Sequence, residues 1–369
     1  MKNKLKKQNG ITLIVLVITV IVLLILAGVT INLTIGQDGI LKRAEEAGMN
    51  YTEAAEKEKT ELVQFSNLTD KIIDNVTKNH YTMVDGVPVT KGFSHTEWTK
   101  DTGFVIKNDT DGNEFVWVPC TIDGANESIK YDRYEFLTTQ LADGIDIETD
   151  SMKIKHSSDK DYIYTERMQS DEQTSVRLYG GFYIGRYETG IEGKAERTSD
   201  SGILDSIVVK RGKNVYNYIS YKEAKVKAEN LYTKPNNGVK SKLCSSYAWD
   251  TALKFIETTN TAYATSGFGG NYKDKTFSYM DLNGEVQNKD ENSVIMVPTG
   301  QTTPVNNIYD MGGNVWEWTT EECKCENLQF GTRGGARDNN SKYDPAGKRG
   351  HANKDASQNN ISFRITLYL

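Results

Sequence analysis

From Gly10 to Gln37 the chain carries no charged residue, and this constrains it more than any other feature. The heart of that stretch, ITLIVLVITVIVLLILAGVTINLTI at residues 11–35, is long enough to cross a bilayer as a helix, which needs about 20 apolar residues. Lys2, Lys4, Lys6 and Lys7 precede it, and Asp38, Glu45 and Glu46 follow it. That asymmetry places the lysines inside and the rest of the chain outside. A secretory signal would have a shorter apolar region, about 7–15 residues, and a small-x-small cut site, so an anchor fits better.

The nine residues K-K-Q-N-G-I-T-L-I, 6–14, resemble the class III leader of type IV prepilins. The resemblance implies cleavage by a prepilin peptidase between Gly10 and Ile11, methylation of the new N-terminus, and contact with the membrane and with other pilin subunits. Val15 stands where that family usually has a glutamate that pairs with a neighbouring subunit's amine. The departure implies a minor pilin, a pseudopilin or a simple anchored protein rather than a major subunit. A plain signal anchor with an incidental glycine is the alternative. After the span, Ile40, Ala44, Ala47, Tyr51, Ala55, Leu62, Phe65, Ile72 and Val76 recur mostly at three- and four-residue steps, with Glu and Lys opposite. This predicts a leader at 1–10 and a pilin-like helix and stalk at 11–76, broken near Gly36 and Gly39.

Residues 77–369 have a different texture. KGFSHTEW, DGNEFVWVPC and YGGFYIGRYETG set aromatic and β-branched residues beside turn formers and predict short strands and hairpins. Residues 121–175 are rich in Asp, Ser, Lys and Thr and are expected to be a polar insertion outside the core. Residues 220–232 and 245–258 have helical spacing, with Tyr247, Ala248, Thr251, Ala252 and Phe255 on one face. The net charge is −6, and the body without the four leader lysines is more acidic still, which argues against nucleic acid as a partner. Cys120, Cys244, Cys323 and Cys325 make no small-domain disulfide framework. The Cys323-x-Cys325 pair lacks the second pair or nearby His of a metal site.

The strongest motif set lies near the C-terminus: IYDMGGNVWEWTTE at 308–321, then Arg333-Gly334-Gly335, then Phe363-Arg364. In that order, and with EFVWVPC and FYIGRYETG upstream, these pieces resemble the formylglycine-generating-enzyme, or sulfatase-modifying-factor, family over about residues 88–369. The resemblance implies an α+β fold: an irregular C-type-lectin-like domain, here following the long transmembrane, pilin-like helix. It also implies Ca²⁺ at the positions of Asp310 and Glu317.

Read from the residues alone, Trp316 and Trp318 share one face of an extended segment and supply core area, and Glu317 points the other way and needs a partner. Asp310 and Glu317, with the carbonyls of Gly313 and Val315, would form an oxygen cage suited to Ca²⁺. The competing reading has Glu317 bonded within the protein. Arg333, Gly334 and Gly335 are expected to lead a strand into a tight turn, and Arg364 to brace loops from the last strand.

Catalysis in the resembled enzymes rests on a cysteine pair between R-G-G and F-R, and no cysteine follows Cys325 here. The related iron-dependent sulfoxide synthases need clustered histidines, whereas His80, His95, His156 and His351 are scattered. The expectation is therefore a non-enzyme whose polar segment 336–360 binds a glycan or a protein. Arg337, Asp338, Asn339, Asn340, Tyr343, Arg349, His351 and Asn353 are the candidate contacts. The same segment also resembles that of variable receptor proteins diversified by retroelements. The expected role is a cell-surface adhesin or receptor, with a structural minor pilin, or an oxidoreductase of the formylglycine-generating type, as alternatives.

Overall fold

The structure is a computed structural model that describes residues 17–20, 60, 81–136, 141–146, 151–155, 161–193, 196–200, 206–233, 238–324 and 328–369. Residues 17–20 are helical. The leader, the Gly10–Ile11 bond, most of the apolar run and the stalk lie outside the described residues. Among the described residues no helix is long and apolar enough to cross a membrane. Contacts divide the chain after Leu62, earlier than the boundary expected from composition.

Among the described residues of the second unit, Val63–Leu369, a six-stranded and a seven-stranded sheet carry the fold with three helices of ten residues or more, beside three two-stranded hairpins and ladders. The first sheet is antiparallel and runs, edge to edge, Lys240–Leu243, Ile365–Tyr368, Gly181–Gly185, Glu114–Pro119, Val105–Asn108 and Phe93–Glu97. Its central strands read as continuous apolar runs because both of their faces are buried. Phe115, Trp117, Tyr183, Ile365 and Leu367 enter one core, while Val116, Val118, Phe182, Ile184 and Tyr368 enter another on the opposite side.

A helix covers each face. Helix Tyr221–Leu231 places Ala224 and Ala228 in the first core and begins with a capping box, in which Ser220 Oγ accepts from Glu223 N and the Glu223 carboxylate accepts from Ser220 N at 3.1 Å. Helix Ser246–Glu257 places Ala248, Ala252, Leu253, Phe255 and Ile256 in the second, and Ser245 caps it through Ala248 N. Both helices fall within a residue of the spans predicted from periodicity.

The second sheet runs Arg349–Asn353, Leu328–Arg333, Trp316–Lys324, Asp161–Thr165, Ser151–Lys155 and Leu141–Asp146, with Ile361–Phe363 parallel to the start of Trp316–Lys324. Three of these strands belong to the segment expected to be a polar insertion. That expectation is corrected: Tyr131, Arg133, Phe136, Met152, Tyr164 and Glu166, all from 121–175, are buried. Two of the acids that made the stretch look like a loop are buried, Glu166 on the Ser246 and Thr320 hydroxyls and Glu172 on Lys242 and Tyr131. Cys120, Cys244 and Cys323 are buried too, and burial pushes the Cys120 and Cys244 thiols well above their ordinary range. Cys323 packs with Met152 and Tyr164; Cys325 lies outside the described residues.

Candidate functional site

The motif at 310–318 is a turn that delivers a strand. Asp310, Gly313 and Asn314 all have positive φ. Gly313 is required by more than φ, since a Cβ there would sit 2.4 Å from Asn271 O. The turn is tied at both ends, by Gly313 N donating to Gly334 O and Asn314 N to Asn271 O, each at 2.8 Å.

The fully buried Asn314 side chain is the hub. Its Oδ1 accepts from Val297 N at 3.0 Å and Asn271 Nδ2 at 2.9 Å, and its Nδ2 donates to Val297 O at 3.1 Å and to Glu188. Every polar atom of the amide thus has a use that no other side chain matches in shape.

Strand Trp316–Lys324 then alternates. Trp318 is buried and donates its indole N–H to Ile219 O at 3.0 Å. Glu317, Thr319 and Glu321 are buried on the other side. Glu317 is paired in register with Arg333, yet its carboxylate goes to Arg364, whose Nε and Nη2 donate at 2.8 and 2.6 Å. Arg364 Nη1 also donates to Gly185 O at 2.9 Å. Burial works against that guanidinium's charge, and the Glu317 carboxylate outweighs it, so the Arg364 pKa is raised.

The calcium cage expected at Asp310 and Glu317 needs correction on this point. Asp310 already accepts from Gly300 N at 2.6 Å and Thr302 Oγ at 2.7 Å, and Glu317 is engaged on both oxygens by Arg364. Gly313 and Val315 belong to the same turn, but the charge beside Glu317 is a guanidinium. The donor set is committed to protein partners and does not fit a metal cage. Among the described residues no group of three or more His, Cys, Asp or Glu is arranged to hold a metal ion. Glu188 adds a third buried carboxyl here. Burial, with Asp310 and Glu317 nearby, holds its pKa well above the usual range, and its Oε2 has no partner among the described residues.

Four residues further along the strand the balance reverses. Glu321 receives Arg133 and, at 3.3 and 3.2 Å, Arg349 Nε; Asp250, from helix Ser246–Glu257, receives Arg333 and Arg349. Burial alone would raise the Glu321 pKa, but Arg349, Arg133 and Arg333 together hold it at about 2. Burial and the Arg349 charge bring Arg333 down to about 10. Glu166 lies beside this network and accepts from Ser246 N at 2.8 Å and from the Ser246 and Thr320 hydroxyls. Burial and the Glu321 charge push it up to about 7.

The residues singled out at 336–360 divide. Arg349 is a buried member of the ion network and needs removing from the ligand face. Arg337 is also buried and donates to the Asn314 and Asn359 carbonyls at 3.3–3.4 Å. Asn339 caps its own turn by accepting from Ala336 N at 2.8 Å. His351 is half-buried, with Tyr164 OH at 3.2 Å and the Tyr162 ring at 4.7 Å. Asp338, Asn340, Tyr343 and Asn353 remain exposed. Gly335 fixes the turn that leads into this segment, since a Cβ would meet Asp344 O at 2.1 Å.

Asp250, Glu321, Arg133, Glu166 and Glu188 were not picked out from the sequence. The only trace of the last was its place in RYET, next to a strand that reads as core.

Residues 216–368 match the sulfatase-modifying factor enzyme 1-like domain. The hub asparagine, the Glu317–Arg364 pair and the Gly334–Gly335 turn all lie inside that sulfatase-modifying-factor-like domain. No curated protein matches the chain. Solved structures similar to it include PvdO from Pseudomonas aeruginosa, with 17% identity, covering 72% of this chain and 98% of that one, at a TM-score of 0.34. CarF has 13% identity and covers 51% of this chain and 87% of that one, at a TM-score of 0.33. Treponema denticola variable protein 1 has 11% identity, with 77% and 93% covered, at a TM-score of 0.22.

Proposed function

We propose that the chain is a membrane-anchored bacterial surface protein whose sulfatase-modifying-factor-like domain binds a polar ligand and catalyses no reaction. One observation carries this. The segment between Gly335 and Phe363 holds no cysteine, and its arginines Arg337 and Arg349 are spent on internal carbonyls and carboxylates, so what it offers solvent is Tyr343 among Asp338, Asn340, Lys342, Asn353, Lys354, Asp355, Gln358 and Asn359. Thiolate chemistry has no substitute among hydroxyls and amides, whereas an exposed aromatic amid polar side chains suits recognition. Anchoring rests on the apolar run at 11–35, and pilin-type processing at Gly10–Ile11 on the leader that precedes it.

The test is a binding screen of the full-length protein in detergent micelles against glycan and protein arrays, run beside an assay for oxidation of cysteine in a sulfatase-motif peptide. Saturable binding without peptide oxidation supports the reading, and formation of formylglycine overturns it. Intact-mass measurement of native protein checks the processing: a mature chain beginning at Ile11 supports it, and retained Met1 refutes it.

A further inference from the structure

A groove of about 260 Å³ opens beside the hairpin formed by Phe277–Met280 and Val286–Lys289. None of the residues picked out from the sequence lines it. Tyr279, Leu282 and Asn283 come to it from the hairpin, Met296 and Pro298 from the segment beyond it, and Glu196 from a separate stretch of chain. We infer that this groove is a binding site for one ring of a neutral sugar, the terminal residue of a glycan. The inference rests on the proposal that the domain binds a polar ligand, and it moves the contact away from the segment at 336–360.

The groove is held open by parts of the molecule that do not depend on a ligand. Val297, also in its lining, is clasped by the Asn314 side chain through both N–H and C=O at 3.0 and 3.1 Å. The motif that identifies the fold therefore fixes the position of Val297 in the groove. The hairpin is pinned by Met280 N donating to Gln301 Oε1 at 2.9 Å, and by the buried Lys289, whose Nζ donates to the Tyr272 and Lys275 carbonyls, both at 2.7 Å. At the hairpin turn Asp281 accepts from Asn283 N, Glu285 N and the Gln287 side chain at 2.9–3.0 Å. Those donors, Glu285 N first, hold its pKa below the usual range, so its carboxylate is charged and fixed in place. A preformed site loses less affinity to ordering on binding.

The chemistry of the lining selects the ligand. Tyr279, Leu282, Met296 and Pro298 provide apolar and aromatic surface, which suits the C–H face of a pyranose. The Glu196 and Asp281 carboxylates and the Asn283 amide suit its hydroxyls as hydrogen-bond partners. Among the described residues no Lys or Arg lines the groove, so an anionic sugar would meet two carboxylates with nothing to offset them. A wholly apolar ligand would strip water from those carboxylates and return no hydrogen bond. A helix, about 10–12 Å across, is too wide for a space that admits one ring.

The experiment uses full-length protein in micelles, with methyl glucoside, methyl galactoside and methyl N-acetylglucosaminide as probes. Glucuronic acid and choline serve as controls, and saturation-transfer difference NMR with titration is the readout. At least one neutral glycoside is expected to bind saturably while glucuronic acid does not. Glu196→Gln, an exposed change that should leave the melting temperature alone, and Tyr279→Ala should each weaken binding by about tenfold or more. Binding of choline in place of the glycosides overturns the inference. Loss of sugar binding in Tyr343→Ala with retention in Tyr279→Ala overturns it too, while leaving the ligand-binding proposal standing. Failure of every glycoside, glycan and protein probe overturns both.

Discussion

The two ends of strand Trp316–Lys324 bury charge in opposite ways. Around Glu317 three carboxyls, with Asp310 and Glu188, share one guanidinium, Arg364. Around Glu321 three guanidiniums, Arg133, Arg333 and Arg349, share two carboxylates, Glu321 and Asp250, with Glu166 alongside. The acid-rich end has a way to discharge itself, because a buried carboxyl takes up a proton, and the raised pKa of Glu188 shows this. The arginine-rich end has none at any pH the protein meets, since guanidinium does not give up its proton there. It therefore needs its acids built in and kept ionised, which the Glu321 pKa of about 2 reflects.

The largest test of that contrast is Glu321→Gln. It leaves three buried guanidiniums with one carboxylate and should cost about 5 kcal/mol in chemical denaturation, and in a Glu166→Gln background, where the titrating neighbour is gone, that cost should change little between pH 5 and 8. Next comes Arg364→Met. It should cost about 4 kcal/mol at neutral pH and visibly less in acid, because the stranded carboxyls then protonate. If the two variants show the same pH dependence, the distinction between the ends is wrong.

Glu166 sharpens it further. Its folded pKa of about 7 lies above its unfolded value, so its contribution is fully present below the unfolded pKa and is lost as pH rises through the folded one. Denaturation curves should show stability falling by about 3 kcal/mol between pH 4.5 and 7, and Glu166→Gln should flatten that fall. The smallest expected effect is that of calcium. With Arg364 already on Glu317, melting curves in Ca²⁺ and in chelator should differ by less than about 1 °C. A larger rise in Ca²⁺ would mean that the acid-rich end accepts a second cation after all.

What the sequence disclosed and what it withheld share one physical reason. Helices 221–231 and 246–257 were legible because a serine cap and a 3.6-residue apolar period are local signals. The motif strand was legible through Trp316 and Trp318, and the need of Glu317 for a partner through its position between them. Which partner was not legible: Asp310 lies in the same motif and invites a cation between the two acids, whereas Arg364 is far along the chain and is brought to Glu317 by the parallel strand Ile361–Phe363. Residues 121–175 were misread for a related reason. Polarity marks a loop when the polar groups face water, and here Arg133 is buried on Glu321 and Tyr164 O, Glu166 on Ser246 and Thr320, and Glu172 on Tyr131 and Lys242. The exposed part of the segment at 336–360 was read as a surface, but the burial of Arg337 and Arg349 leaves no mark on composition.

Strand Ile365–Tyr368 lies between Lys240–Leu243 and Gly181–Gly185, one strand in from the edge of the first sheet. A ribosome delivers it after every other strand of that sheet. Until then Gly181–Gly185 has an open edge, and Lys240–Leu243 lacks the partner that joins it to the sheet. The first sheet therefore closes only when residues 365–368 pair on both sides, joining Lys240–Leu243 to Gly181–Gly185.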